Sequence, residues 1–411
     1  MTAGRGAEEQ GSQETEETVL QDIVIVGAAR TPIGSFNGSL AALPATLLGS
    51  IAAAEALLRG GVEPAQVDET IFGNVLSAGL GQGPARQVGI GAKIPVAAGA
   101  LTVNKVCGSG MMAAMLAANR IQVGEAELVL AGGMESMSRA PYLLDRARTG
   151  YRMGHAQLID SMILDGLWDV YNQFSMGMCG ELCAEKYGFT REAQDEYAAR
   201  SYTRALAAQT AGRFSAEIVP VQIPGRKGEV EMVAEDEEPK RGDLTKMRRL
   251  KPAFKEGGTV TAANSPSVND GAAALIVASA RRAEALGLTP LLRIAGMAGA
   301  ATAPEWFTVA PIEALRRLFK KTGWSVDSVD LFEINEAFSV VAMAAIQELG
   351  LDPERVNVNG GVVALGHPIG ATGARLLVTL LYAMADRGAR RGVAALCLGG
   401  GEGLAMAVER I

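Results

Sequence analysis

Cys107 stands in Asn104-Lys105-Val106-Cys107-Gly108-Ser109-Gly110, ahead of an apolar run. Cys397 stands in Leu396-Cys397-Leu398-Gly399-Gly400-Gly401, and His367 in Gly366-His367-Pro368-Ile369-Gly370. The chain has only four cysteines and two histidines, and three of these six residues sit in glycine-rich turns. Two thiols and one imidazole suffice to carry an acyl group and move protons. At a helix N-terminus the backbone dipole favours a Cys107 thiolate, and the glycines let a carbonyl approach backbone N–H groups. His367 precedes a proline, so it belongs to the turn before a helix, where a neutral imidazole could take a thiol proton. Each residue also has a plainer reading: a buried core cysteine for Cys107 and Cys397, a capping or surface histidine for His367. Cys179 and Cys183, four apart, read as buried packing because no further metal ligands stand nearby. His155 has no recognisable partner.

These residues need elements to position them. The hydrophobic run Asp22-Ile23-Val24-Ile25-Val26-Gly27 predicts a buried strand, and alternating strand-like and helix-like segments follow, which indicates α/β architecture. The chain repeats itself. Val67-Asp68-Glu69-Thr70-Ile71-Phe72-Gly73-Asn74 is echoed by Val329-Asp330-Leu331-Phe332-Glu333-Ile334-Asn335, and each copy follows an amphipathic helix, at 48–59 and 311–321. Cys107 then leads into a helix at 111–121, strand Leu128-Val129-Leu130-Ala131 and a turn at Gly132-Gly133. His367 leads into a helix at 374–384, strand Val393-Ala394-Ala395-Leu396 and the turn Gly399-Gly400-Gly401. Two facing halves of one topology explain this. Five segments are expected: a disordered acidic tail at 1–19, a first half at 20–133, an inserted loop domain at 134–250 covering a site, a return segment at 251–285 completing the first half, and a second half at 286–411. Glu235-Asp236-Glu237-Glu238-Pro239-Lys240-Arg241-Gly242 reads as an exposed loop.

Composition sets outer limits. At 411 residues, with 48% hydrophobic and 20% charged residues, the chain reads as a soluble globular enzyme of two or three domains. A net charge of −7 argues against a nucleic-acid partner, and no apolar run has transmembrane length. Few cysteines suit a reducing, cytoplasmic setting. The glycine run lacks the Lys-Ser/Thr ending of a phosphate loop, and no Gly-x-Ser-x-Gly serine motif is present.

Taken together, Asn-Lys-Val-Cys-Gly-Ser-Gly at 104–110, Asn335-Glu336-Ala337-Phe338, Gly-His-Pro-Ile-Gly-Ala-Thr-Gly at 366–373 and Cys397-Leu398-Gly399-Gly400-Gly401 resemble the thiolase family, most of all its acetyl-CoA acetyltransferases. Ala28-Ala29-Arg30-Thr31-Pro32-Ile33-Gly34 also matches, and the resemblance runs from about residue 20 to the end. It implies two βαβαβαββ halves stacked as αβαβα layers, with a loop domain that binds coenzyme A. It implies a reversible Claisen condensation of two acetyl-CoA to acetoacetyl-CoA with ping-pong kinetics. In that scheme Cys107 carries the acyl group, His367 activates it and Cys397 moves the α-proton. His367 and Asn335, through a water, form one oxyanion hole; the N–H groups of Cys107 and Gly399 form the other. Coenzyme A contacts fall at Met176 and Ser265 and, by a looser match, at Lys240, Arg241 and Lys246. Coenzyme A thioesters are substrates; no metal or further cofactor is implied, and a homodimer or homotetramer is expected. Three positions depart from the family pattern: Ser175 replaces a common histidine, Pro266 a coenzyme A-touching serine, and Glu402 an uncharged residue. The departures bear on chain length, so a degradative thiolase for longer 3-ketoacyl-CoA is the alternative. A non-catalytic lipid carrier of this fold would lack a catalytic cysteine or histidine, and a ketosynthase-like enzyme would carry a second histidine.

Overall fold

A computed structural model describes residues 21–225 and 229–411. The acidic segment 1–19 lies outside the described residues. Nine strands, with a two-residue strand at Gly34–Ser35 attached to one side, form a ten-stranded mixed sheet. In the first half these are β1 (Ile23–Arg30), β2 (Glu69–Gly73), β3 (Gly99–Val103), β4 (Leu128–Ser136) and β5 (Asn269–Ser279). In the second they are β6 (Leu292–Ala301), β7 (Leu331–Ile334), β8 (Arg391–Leu398) and β9 (Glu402–Glu409). The order across the sheet is β7-β8-β9-β6-β1-β5-β4-β2-β3. Read outward from the middle, β1-β5-β4-β2-β3 is mirrored by β6-β9-β8-β7. Val356, bridged in parallel to Phe332, stands where the second half would have a counterpart of β3.

Among the described residues the two half-sheets pair strand to strand at two positions, Val24–Arg293 and Ile25–Leu292. So thin a seam lets the half-sheets fold over one another. The helices of eight or more residues are, in the first half, α1 (Ala45–Gly60), α2 (Pro84–Gly91) and α3 (Ser109–Gln122); α4 (Met176–Tyr187) and α5 (Arg191–Thr210) follow in the excursion between β4 and β5; α6 (Ala310–Thr322), α7 (Ser339–Leu349) and α8 (Ile369–Arg387) belong to the second half. One apolar cluster joins Ile25, Val129 and Leu275 of the first half-sheet, Leu396, Leu404 and Met406 of the second, and Met111 of α3 with Leu380 of α8 between them. The other sheet faces are covered by α1 and α2 on one side and by α6 and α7 on the other. The layers are therefore αβαβα. Alternation follows the pleat: Ile23 and Ile25 face the central helices while Val24 and Val26 face α1. With both faces covered, β1 is buried along its whole length.

Gly132 and Gly133 do not turn the chain. They lie inside β4, paired with Ala274 and Ala273. Glycine is required there for close approach: a Cβ on Gly132 would sit 2.4 Å from the Phe72 ring, and one on Gly133 2.2 Å from the Gly370 carbonyl oxygen. The excursion consequently starts after Ser136 and ends before Asn269.

The acidic stretch at 235–242 is not a free loop either. Asp236 is 1% exposed and grips Arg30, itself fully buried, through two hydrogen bonds of 2.7 and 2.9 Å. Glu217 accepts from Arg30 Nε at 2.6 Å. Glu237 accepts from the backbone N–H groups of Ser35 and Ser39. A buried guanidinium needs carboxylate partners, and this run supplies one, clasping the excursion to β1.

Candidate active site

The Cys107 turn is built by its neighbours. The Ser109 hydroxyl donates to the Val106 carbonyl at 2.6 Å and accepts from the Lys105 N–H at 2.9 Å. Val106 carries φ +48°, a left-handed conformation that a β-branched residue adopts at a cost of about 1–3 kcal/mol. No sequence signal marks that strain. Cys107 follows at once, and α3 starts two residues later. The expected helix at 111–121 thus begins closer to the thiol, at Ser109.

His367 occupies the matching place, two residues before α8. Its backbone N–H donates to Asn269 Oδ1 at 2.9 Å, and Asn269 Nδ2 donates to the Gly34 carbonyl at 2.9 Å. Its Nδ1 lies 2.7 Å from Thr372 Oγ1. That hydroxyl spends its proton on the Pro368 carbonyl at 2.9 Å, so toward the ring it can only accept. Nδ1 therefore holds the hydrogen and Nε2 holds the lone pair. Nε2 has no partner among the described residues. Burial, helped by the Arg375 charge, pushes the His367 pKa down to about 3, so the ring is neutral at pH 7. Thr372 was not singled out in the sequence; its place five residues after a histidine, on the first turn of a helix, is the signal that could have found it.

Gly399 to Gly401 form the tight connection between β8 and β9. The Gly399 N–H faces the Cys107 thiol. Burial pushes Cys107 up to about 12, against the pull of that N–H and its own. The thiolate expected from the helix terminus is thus outweighed by desolvation, and the resting pair is thiol and neutral imidazole. Cys397 is fully buried at the end of β8, in the apolar cluster that also holds Phe307, Ala337 and Phe338. Burial, reinforced by nearby Cys107, raises its pKa well above the ordinary thiol value. Asn335 follows β7, fully buried, with neither side-chain polar atom partnered among the described residues. Buried polar atoms without partners mark where a ligand or water belongs.

Two buried glutamates hold these groups in place. Glu336 accepts from Tyr197 and Ser201 hydroxyls at 2.9 Å each, Asn357 Nδ2 at 2.7 Å and Val363 N–H at 3.1 Å, tying the Asn335 turn to α5. Glu135 accepts from the N–H groups of Val75, Leu76 and Gly370 and from Asn74 Nδ2, within 2.8–3.1 Å. It thereby fixes the start of α8. Burial pushes Glu135 up to about 7, opposed by those N–H donors.

Cys107, His367, Gly399, Met176 and Ser265 line one pocket of about 170 Å³, with Phe254, Phe307 and Phe338 among its walls. Cys397 is fully buried and outside the lining, close to Cys107, which is part of it. Of the departures, Ser175 lines the pocket and caps α4 by accepting from Gly177 N–H at 3.4 Å. Pro266 lines the pocket too, whereas Glu402 turns away to Lys105 at 2.5 Å. Lys240, Arg241 and Lys246 do not reach the lining. Lys240 pairs with Glu235, and Lys246 pairs with Asp243 at 2.8 Å. Cys179 and Cys183 are buried on α4, and the Cys183 thiol donates to the Val340 carbonyl at 3.8 Å. His155 is exposed.

Known proteins share this arrangement over nearly the whole chain. The model of the thiolase N-terminal domain matches residues 23–281, and that of the thiolase C-terminal domain matches 288–410. An acetyl-CoA acetyltransferase of Cupriavidus necator is 54% identical over 95% of this chain and 100% of its own length. Acetyl-CoA acetyltransferase 2 of Arabidopsis thaliana is 54% identical over 96% of this chain and 99% of its own. Among solved structures, the Acat5 thiolase from Ascaris suum in complex with coenzyme A aligns with TM-score 0.90 and 44% identity, over 95% of this chain and 100% of that one. The acetyl-CoA acetyltransferase from Syntrophomonas wolfei aligns with TM-score 0.93 and 40% identity, over 96% and 100%. With both halves matched and the paired turns in place, the chain belongs to the thiolase family.

Proposed function

We propose that this chain is an acetyl-CoA acetyltransferase: it condenses two acetyl-CoA to acetoacetyl-CoA and coenzyme A, and runs the reverse thiolysis. The observation that carries the reading is the meeting of the Cys107 thiol, the Gly399 N–H and His367 in one pocket, with His367 Nε2 free of any partner among the described residues.

The steps balance on this chain's own groups. Cys107 Sγ attacks the acetyl carbonyl as Nε2 takes its proton. The N–H groups of Cys107 and Gly399 receive the developing oxyanion. Coenzyme A leaves with the proton of Cys397, which becomes the thiolate. The Cys397 thiolate then removes the α-proton of a second acetyl-CoA. The protonated Nε2, with Asn335 acting through a water, holds the enolate oxygen. The carbanion attacks the acetyl-thioester, and Cys107 departs and recovers its proton from His367. Keeping both thiols buried holds them protonated until substrate arrives.

Radiolabelled acetyl-CoA should leave label on Cys107 in the wild type and none in Cys107→Ala; label persisting in that variant overturns the assignment. Cys397→Ala should still acylate, the departing coenzyme A thiolate taking its proton from water, and should condense poorly. Thiolysis rates across 3-ketoacyl-CoA chain lengths should fall beyond four carbons; a maximum at longer chains would favour the degradative reading. We also propose a dimer or tetramer. The edge strand β3 lies at one margin of the sheet with Leu101 exposed, the kind of edge that proteins usually cover. Light scattering would give the mass. The low cysteine count supports a reducing, cytoplasmic setting.

A further inference from the structure

We infer that Lys105 and Glu402 form a positioning pair that holds the Gly399 N–H against Cys107. The inference rests on the acyl-thioester reading above and adds two residues to it. Lys105 Nζ lies 2.5 Å from Glu402 Oε2, and both side chains are partly exposed. Lys105 is two residues before the nucleophile. Glu402 is three residues after Gly399, at the first position of β9.

The turn it anchors is closed at its base by the Leu398–Glu402 pair, and Glu402 also pairs with Ala301, so what remains adjustable is the three-glycine tip. Gly399, Gly400 and Gly401 carry no side chains, and Gly400 and Gly401 sit at φ +87° and +86°. Three consecutive glycines sample backbone space freely unless tethered. One tether is the Thr302 N–H, which donates to the Gly401 carbonyl at 2.7 Å. It ties the turn to β6, on the side of the second half. Toward the first half, where Cys107 lies, the described side-chain bond from the turn is Lys105–Glu402. On the facing side the Cys107 turn is stiff, closed by Ser109 and by the Gly108 N–H to Lys105 carbonyl bond at 3.0 Å. The ion pair thus closes a ring: Lys105, Val106, Cys107, the Gly399 N–H, the glycine turn, Glu402. Its effect on global stability is small, because a partly exposed pair contributes little. Its effect on the oxyanion contact is larger, because that contact requires a donor placed to a fraction of an ångström.

A double-mutant cycle on the full-length enzyme tests this, using Glu402→Gln, Lys105→Met and the double variant in acetoacetyl-CoA thiolysis. Each single variant should lower kcat about five-fold while KM stays within about two-fold. The double variant should lose no more than the worse single, as a coupled pair requires. High salt should lower the wild-type kcat and leave Glu402→Gln unaffected. Additive losses, an unchanged kcat, or an effect confined to KM overturn the inference. Acetyl label on Cys107 is followed in every variant. Label absent from the wild type would sink the acyl-thioester reading itself, whereas label intact in all variants with unchanged kcat sinks only the pair.

Discussion

Thr372→Val tests the tautomer argument directly. Valine keeps the shape of threonine and the first turn of α8, since the Pro368 carbonyl retains the Ala371 and Thr372 N–H groups at 2.9 and 3.0 Å. What disappears is the acceptor for His367 Nδ1–H. A buried donor left without a partner costs about 1–3 kcal/mol. The ring escapes that cost by shifting its hydrogen to Nε2, and in that tautomer Nε2 has no lone pair for the Cys107 proton. Restoring the working tautomer must then be supplied in each turnover, which lowers kcat by about 5- to 150-fold. KM should hold, because Thr372 does not line the pocket. Thr372→Ser, which keeps the hydroxyl, should stay within about two-fold of wild type. Steady-state thiolysis with both variants, with the acylation rate from rapid-quench labelling, gives the numbers. A folded valine variant with kcat within about two-fold of wild type would refute the reasoning.

Other consequences can be measured alongside. With His367 neutral above about pH 3 and Cys107 protonated below about 12, acetylation of Cys107 should be flat across pH 5–9; a limb near 6.5 would contradict the burial of His367. The same shift links to stability. The folded ring binds its proton only near 3 and the unfolded ring near 6.5, so the His367 contribution is complete above 6.5 and is lost as pH falls toward 3. Arg30→Met leaves Glu217 and Asp236 buried and unpaired and should remove about 3–5 kcal/mol of stability; an unchanged urea midpoint would count against the clasp. Gly133→Ala places a methyl 2.2 Å from the Gly370 carbonyl oxygen and should cost about 1–3 kcal/mol by overpacking, with kcat falling because α8 carries the His367 turn. Wild-type activity in a soluble alanine variant would show that the seam can yield.

The sequence repeat made the duplicated topology legible, and apolar runs located β1, β4 and β8 to within a few residues. Cys107 and His367 could be placed before helices because glycine and proline punctuate the chain locally. What was not legible depends on partners distant in sequence. Glu135 serves Gly370 across 235 positions, and Asp236 serves Arg30 across 206. A carboxylate in an acidic run looks solvated until its buried cation is known, which is why 235–242 read as an exposed loop. Gly132 and Gly133 read as a turn because glycine signals both bending and close contact, and only the facing backbone distinguishes them. Lys240 and Lys246, matched to coenzyme A contacts only loosely, lie on the surface beside Glu235 and Asp243.

The contact between the starts of α3 and α8 limits how this enzyme can vary. A Cβ on Gly110 would meet Ala374 N at 2.7 Å, one on Gly373 would meet Met111 N at 2.4 Å, and Gly133 abuts Gly370. Main chain rests on main chain there, with no side chain left to shorten or lengthen. The spacing between nucleophile and base is therefore a property of the peptide backbone and lies outside the reach of gradual substitution. Ser175, Met176, Phe254, Ser265 and Pro266, by contrast, all lie on the excursion, where side chains can be exchanged one at a time. Engineering a new acyl preference should begin with those residues and leave the glycine seam untouched.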